Sequence, residues 1–178
     1  MQSTSCSGGQ SRGAQMGELL SMPNQVDELY SLLVPLHDGR LIVPRACVAE
    51  VIRYTPPDER PDGPAWFRGY VPWNNLQVPI IRIEDLCGLE SAPPGGRTRL
   101  AIFSCLSDSL ESGVFGILTE GFPQLVRVNR DVMEIHDEHA WPDDGPIICQ
   151  IRMINEYPLI PDLEKLESLI RDCIADAA

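Results

Sequence analysis

The sequence predicts an all-β fold of sandwich or barrel type that ends in one amphipathic helix. About ten short apolar runs of β character are separated by turn signals or proline-rich loops. Helical spacing is sustained only near the C-terminus. Strands and helices do not alternate along the chain, as they would in a parallel α/β sheet. These three observations together exclude the α/β classes and favour β-sheet packing.

The chain divides into a tail and one domain. Residues 1–26 are rich in Ser, Gly and Gln, and we expect them to form a disordered tail. The domain then spans residues 27–174. The N-terminus lacks a basic segment followed by an apolar one, so no signal peptide is predicted, and no apolar run is long enough for a membrane helix. The expected location is therefore the cytoplasm, without membrane insertion.

The first strands form a hairpin. The apolar runs "LYSLLVPL" (29–36) and "LIVP" (41–44) flank Asp38-Gly39, which is a strong signal for a tight turn. In the next segment, 45–54, three β-branched residues follow helical spacing and predict a short helix or turn. They are Val48, Val51 and Ile52.

A second hairpin follows a proline-rich loop at 55–64. Its strands are "AWFRGYVPW" (65–73) and "LQVPIIRI" (76–83), and Asn74-Asn75 forms the turn. Because Pro79 cannot donate to a strand ladder, it is expected at an edge or a bulge.

The remaining chain adds short strands and the final helix. A helical turn is predicted at 83–88, and residues 129–146 are expected to be irregular. The further strands are 100–106, 113–121, 123–128, 146–154 and 157–160. The final helix begins at Pro161-Asp162 and has an apolar face. That face contains Leu163, Leu166, Leu169, Ile170 and Ile174.

Charge and cysteine content restrict the function classes. Lys and Arg total 14 against 26 Asp and Glu, a formal net charge of −12, so nucleic acid is not an expected partner. The 6 cysteines form no CxxC pair and are expected to be free thiols.

Catalytic and metal signatures are weak. No GxSxG, P-loop or GxGxxG motif occurs. His136 and His139 in "HDEH" favour a solvated acidic loop over a zinc site, because no third ligand is evident. We therefore expect no metal, no cofactor and no catalysis. A hydrolase that uses Cys105 or His136 is the enzymatic alternative.

Aromatic residues concentrate around the second hairpin. Trp66, Phe67, Tyr70 and Trp73 lie within eight positions of one another. They are interpreted either as core packing or as an interface anchor, since Trp and Tyr contribute strongly to interface energies.

Five segments in order resemble the CheW-like domain family over about residues 27–172. They are Val48-Ala49-Glu50-Val51, Gly69-Tyr70-Val71, the strand at 76–83, the strand at 116–120 and the helix start at 162–166. The resemblance implies two small five-stranded β-barrel subdomains packed together, with the C-terminal helix. It also implies a non-enzymatic adaptor that couples the cytoplasmic tip of chemoreceptors to a CheA-type histidine kinase.

The resemblance implies contact positions for receptor and kinase. These candidates are Val48, Glu50, Val51, Gly69, Asn74, Leu118 and Thr119. Core packing is the alternative for the two valines and for Leu118, and backbone geometry is the alternative for Gly69. Asn74 is the strongest candidate, because a hairpin tip has little core to fill.

Two departures from the family pattern are evident. Asn74-Asn75 stands where the family usually has Arg-Gly, and Thr119-Glu120 stands for Val-Asp. Such drift resembles the accessory CheW-like proteins of type IV pilus chemosensory systems, of the ChpC type, and implies a role in twitching motility. A small β-barrel module that binds a peptide or ligand outside chemotaxis is the alternative function.

Overall fold

The fold is mostly β-sheet with one long helix at the C-terminal end. The computed structural model describes residues 28–176 except 62, 130, 132, 137 and 154. The predicted disordered tail at residues 1–26 lies outside the described residues. Within them the chain confirms the predicted all-β class.

The described residues form eleven strands and two α-helices. The strands are β1 (Leu29–Leu36), β2 (Gly39–Pro44), β3 (Val48–Arg53), β4 (Phe67–Trp73), β5 (Leu76–Ile81), β6 (Arg99–Ser104), β7 (Val114–Thr119), β8 (Gln124–Val128), β9 (Glu134–Ile135), β10 (Ile147–Arg152) and β11 (Leu159–Pro161). The helices are α1 (Ile83–Cys87) and α2 (Leu163–Ala175).

Two sheets contain these strands. One has six strands in the order β8-β1-β2-β11-β10-β9, and the other has five in the order β3-β6-β7-β5-β4. Neighbouring strands are antiparallel except for β11 beside β2 and β5 beside β7. The sixth strand of the first sheet, β9, lies in the segment at 129–146 that was predicted to be irregular. One subdomain therefore has the expected five strands and the other has one more.

The segment at 45–54 corrects one prediction. Only Arg45–Cys47 is helical, as a single 3₁₀ turn, and the chain is extended from Val48 onward. The register of β3 against β6 shifts between Val48 and Glu50, which inserts one extra residue. This bulge turns Val48 and Val51 toward the same core although they are three positions apart. The apparent helical spacing was produced by the bulge.

One core joins the two sheets and the long helix. It includes Val34 from β1, Phe103 from β6 and Phe115 from β7, and the two phenylalanine rings stack with centroids 5.4 Å apart. From α2 the core receives Leu163, Leu166 and Ile170, three of the five residues predicted for the apolar face. The predicted start at Pro161-Asp162 is right at Asp162, which caps the helix because its carboxylate accepts a hydrogen bond from the Lys165 N–H at 2.9 Å, whereas Pro161 is the last residue of β11. The two sheets and the helix are thus parts of one packed unit.

Pro79 occupies a position that fits its missing N–H. Strand β5 pairs with β4 along its length but with β7 only at Ile80 and Ile81. Pro79 therefore lies where β5 has a partner on one side only, as the edge prediction requires. Ile80 and Ile81 are both fully buried, one in each of two core clusters, so the strand is covered on both faces there.

Candidate functional site

The tip of the hairpin between β4 and β5 is exposed and sharply turned. Asn74 and Asn75 have φ angles of +47° and +63°, and both side chains are exposed. Two successive positive φ angles define the tight turn that matches the twist of the flanking strands, and asparagine tolerates them better than most residues. The turn is therefore formed by local backbone preference, and the two carboxamides remain available at the surface.

A hydrogen bond connects this tip to the opposite edge of the sheet. The Trp73 indole Nε1 donates to the Glu50 carboxylate Oε2 at 2.9 Å. Glu50 is on β3 and Trp73 is on β4, the two outermost strands of the five-stranded sheet. The sheet must therefore curl until its edges meet, as expected for a small barrel. Curling brings two sequence-predicted candidates, Glu50 and Asn74, to one surface.

We call this region the tip surface; it consists of Glu50, Trp73, Asn74 and Asn75. Glu50, Asn74 and Asn75 are exposed, and Trp73 is half-buried. The inner part of the indole packs against a core cluster that contains Val71, Val78 and Leu118, among others. The tip surface is therefore held to the core through Trp73, and its other three residues are exposed to solvent.

The other predicted contact residues have buried or core-facing side chains. Val48 is 3% exposed, and Val51 is half-buried against the same core. Leu118 and Thr119 are 3% and 1% exposed, and the Thr119 hydroxyl donates to the Gly121 carbonyl at 2.8 Å. These four side chains face the protein interior and offer little area to a partner.

Gly69 fits the alternative of a backbone role. It is buried, its φ is +104°, and a Cβ at this position would lie 1.9 Å from the Asp58 carbonyl oxygen. The backbones of Asp58 and Tyr70 exchange two hydrogen bonds beside it, at 2.8 and 3.2 Å. Gly69 therefore lets the chain at Asp58 pair with the outer edge of β4 through one isolated β-bridge.

An open groove of about 590 Å³ lies beside the tip. Three parts of the fold form its walls: the β4–β5 hairpin, the loop after β6 and the last turns of α2. Its apolar lining includes Leu76, Pro79, Leu110 and Ile174. Sequence reasoning did not identify the groove, since its walls come from three distant segments. Of the residues that line the groove, only Ile174 was predicted to lie on an apolar surface, as part of the apolar face of the final helix.

A buried glutamate fixes the loop that forms one wall of this groove. Glu167 on α2 is fully buried, and its carboxylate accepts hydrogen bonds from the Leu106 N–H at 2.5 Å and the Ser107 N–H at 3.1 Å. The Ser107 hydroxyl also donates to it, at 2.5 Å. Three donors converge on one carboxylate, which compensates its burial. The loop position therefore depends on α2.

The cysteine version of the hydrolase alternative loses support. Burial raises the pKa of the Cys105 thiol to about 12, and the nearby Glu167 carboxylate raises it further in the same direction. Burial, and then Glu84, raise the pKa of Cys87 to about 11. A thiol with a raised pKa carries almost no thiolate near neutral pH, and the thiolate is the nucleophile.

The two histidines of "HDEH" pack against different aromatic rings. The His136 ring lies 4.7 Å from that of Tyr157, and the His139 ring lies 4.9 Å from that of Trp141. His136 Nε2 also lies 3.4 Å from a Glu138 carboxylate oxygen. In the described part of the chain, no three His, Cys, Asp or Glu side chains are grouped so that they could hold a metal ion.

The cluster of aromatic residues is mostly core. Phe67 is 4% exposed, and its ring forms edge contacts with Trp66 at 6.0 Å and Tyr70 at 5.6 Å. Trp73 differs, because it reaches the tip surface. Core packing therefore accounts for Phe67 and its two ring neighbours, and a role as interface anchor stays a prediction for Trp73. Neither of the described helices has the length and apolar character needed to cross a membrane.

Comparisons with known proteins agree on one family and one fold. A family model described as the CheW-like domain matches residues 31–168. The crystal structure of scaffolding protein TtCheW from Thermoanaerobacter tengcongensis is similar, with a TM-score of 0.65 and 14% identity, covering 78% of this chain and 91% of that chain. At this identity the structural likeness establishes the fold alone. No match was found among curated proteins.

Proposed function

Because the chain belongs to the CheW-like domain family, matched over residues 31–168, we propose that it is a non-enzymatic adaptor that couples chemoreceptors to a CheA-type histidine kinase. The family match is the observation that carries this proposal. The proposed location is the cytoplasm, where receptor tips and kinase meet. The work of such a protein is to hold two partners in a fixed relation, and it requires surfaces and no reacting groups.

The tip surface and the groove supply two such surfaces. The exposed Glu50, Asn74 and Asn75 offer polar contacts around the Trp73 ring, and we assign this surface to the kinase. The groove beside it has an apolar lining and suits one face of an amphipathic helix, and we assign it to the helical receptor tip. Because the hairpin contributes to both surfaces, the two partners would lie side by side.

Binary binding tests this function. The purified chain, with its fold verified by circular dichroism, is titrated with the regulatory domain of a CheA-type kinase and, separately, with a chemoreceptor cytoplasmic fragment. The adaptor function predicts a measurable Kd for at least one of them. Absence of binding to both by the folded protein would contradict it and leave the unrelated β-barrel module as the better explanation.

Asn74→Gly is expected to weaken kinase binding while the melting temperature stays within a few degrees. Glycine accepts the positive φ of this turn, so only the carboxamide is lost. Loss of one interfacial hydrogen bond costs about 1 kcal/mol, or roughly a fivefold rise in Kd. Isothermal titration calorimetry measures it.

The matched control is Asn155→Gly, which removes an exposed asparagine from the turn between β10 and β11. It should bind as the wild type does. Equal loss of binding in both variants would show that the hairpin tip has no special role.

We further propose that the chain is an accessory member of a type IV pilus chemosensory system that affects twitching motility. The support is the Asn74-Asn75 tip, which lacks the arginine usual in the family. Deletion of the gene in its host, scored for twitching and for swimming, tests this assignment. A swimming defect with normal twitching would contradict it.

A further inference from the structure

Glu50 has a carboxylate that is held in place but electrically uncompensated. Its Oε2 accepts the Trp73 Nε1–H at 2.9 Å, and the side chain is exposed. Among the residues that the structure describes, no arginine, lysine or histidine forms an ion pair with it. In the free protein this costs little, because water solvates the charge.

Docking of a partner changes that balance. A partner that covers the tip surface removes water from the carboxylate, and a buried charge without an opposite charge is strongly unfavourable. The indole donor provides one hydrogen bond to Oε2, which is not enough to replace hydration of a full negative charge. A partner that binds here must therefore bring a positive group to Oε1.

Trp73 makes the same region favourable for a cation in a second way. The face of an indole attracts ammonium and guanidinium groups more strongly than other aromatic faces do. The hydrogen bond also fixes the carboxylate at the edge of the ring, so the ring and the charge are in place before the partner binds. The indole N–H occupies one acceptor position of Oε2, so Oε1 and the remaining position of Oε2 stay open to an incoming group.

We propose that Glu50 and Trp73 form a receptor for one basic side chain, an arginine or lysine, presented by the protein that docks on the tip surface. The proposal rests on the proposed function, and the partner it concerns is the one assigned to the tip surface, the kinase. The formal charge of −12 on the whole chain acts in the same direction, since it attracts a positively charged patch over longer distances.

The Glu50→Gln variant tests the contribution of the negative charge separately from the size of the side chain. Glutamine keeps the size of the side chain and a carbonyl oxygen that can accept the indole N–H, so the sheet edges remain joined. The Kd for the kinase regulatory domain is measured at low and at high ionic strength. We expect Glu50→Gln to raise the Kd about tenfold at low salt and to reduce the salt dependence of binding.

Two further variants accompany it. Trp73→Phe keeps an aromatic ring but removes the donor, and it should weaken binding while retaining part of the salt dependence. Glu164→Gln removes the same charge from an exposed residue in the first turn of α2, at the end of that helix away from the groove. It should leave the Kd close to that of the wild type.

The outcomes separate this inference from the function on which it rests. If the folded wild type binds neither kinase domain nor receptor fragment, both fall. If the wild type binds the kinase domain and Glu50→Gln binds it equally, with the same salt dependence, the basic side chain is excluded and the adaptor function stands. A loss no larger than that of Glu164→Gln would also overturn the inference, because it would reflect net charge alone.

Discussion

The Glu167→Gln variant is expected to lose about 2–3 kcal/mol of unfolding free energy, since hydrogen bonds to a buried charged group each contribute about 1.5–3 kcal/mol and partial compensation remains. Glu167 is fully buried, and two backbone N–H groups and one hydroxyl donate to its carboxylate. Glutamine has one acceptor oxygen, and its NH₂ group would face a donor. At least one N–H of the loop at Leu106 and Ser107 would then be buried without an acceptor.

Urea denaturation and thermal melting measure the loss. For a domain of this size, 2–3 kcal/mol corresponds to a fall in Tm of roughly 5–10 °C. Glu164→Gln serves as the control on the same helix, because its side chain is exposed and it should melt close to the wild type. A Glu167→Gln protein as stable as that control would show that the carboxylate does not hold the loop.

The same substitution should also affect the groove. Ser109, Leu110 and Ser112 line the groove and belong to the loop that Glu167 fixes. At a temperature where the variant is still folded, the receptor fragment should therefore bind more weakly, while the kinase domain, assigned to the tip surface, should bind nearly as before. Equal weakening of both partners would mean that the variant is damaged as a whole.

Gly69→Ala is expected to destabilise the protein by about 3 kcal/mol or more, since strained backbone and overpacking each cost about 1–3 kcal/mol. The new Cβ would lie 1.9 Å from the Asp58 carbonyl oxygen, at a φ of +104° that side chains rarely adopt. The neighbour is backbone, so it cannot rotate away. The two hydrogen bonds between Asp58 and Tyr70 would have to break, and the chain at Asp58 would leave the edge of β4.

Gly39→Ala separates the two causes. Gly39 has a similar φ of +121°, but a Cβ there meets nothing within 4 Å. It should show only the backbone strain, on the order of 1 kcal/mol. If chemical denaturation gives equal losses for the two variants, the clash with Asp58 is absent. If Gly69→Ala does not fold, its soluble expression is compared with that of Gly39→Ala. A lower soluble yield of Gly69→Ala is the expected result, and equal yields would contradict the clash.

Much of the fold could be predicted from the sequence, because turns, short strands and helix caps are determined by residues that are close together in the chain. The Asn74-Asn75 turn and the cap of α2 at Asp162 were predicted at their observed positions, and the strand with Pro79 begins at Leu76 as predicted but ends at Ile81, two residues earlier than expected. The failure at 45–54 has a defined cause, since a bulge between Val48 and Glu50 gave a strand the spacing of a helix. A bulge leaves no reliable mark in a single sequence, because it is created by pairing with β6.

The site was predicted less completely than the fold. Asn74 and Glu50 are both predicted as contact candidates and stay predictions, and nothing in the sequence indicated that they share a surface. The bond between Glu50 and Trp73 joins residues 23 positions apart, and the Glu167 contacts join residues about 60 positions apart. Both depend on how the sheet curls and where α2 docks, which local patterns do not specify.

The measurement that tests the adaptor claim most directly is the formation of a three-component complex. A chemoreceptor cytoplasmic fragment is immobilised, and retention of the kinase regulatory domain is measured with and without the purified chain. We expect the chain to increase the amount of kinase domain retained, and we expect Glu50→Gln to reduce this increase. Retention that is unchanged or lower when the folded chain is added would contradict a coupling role.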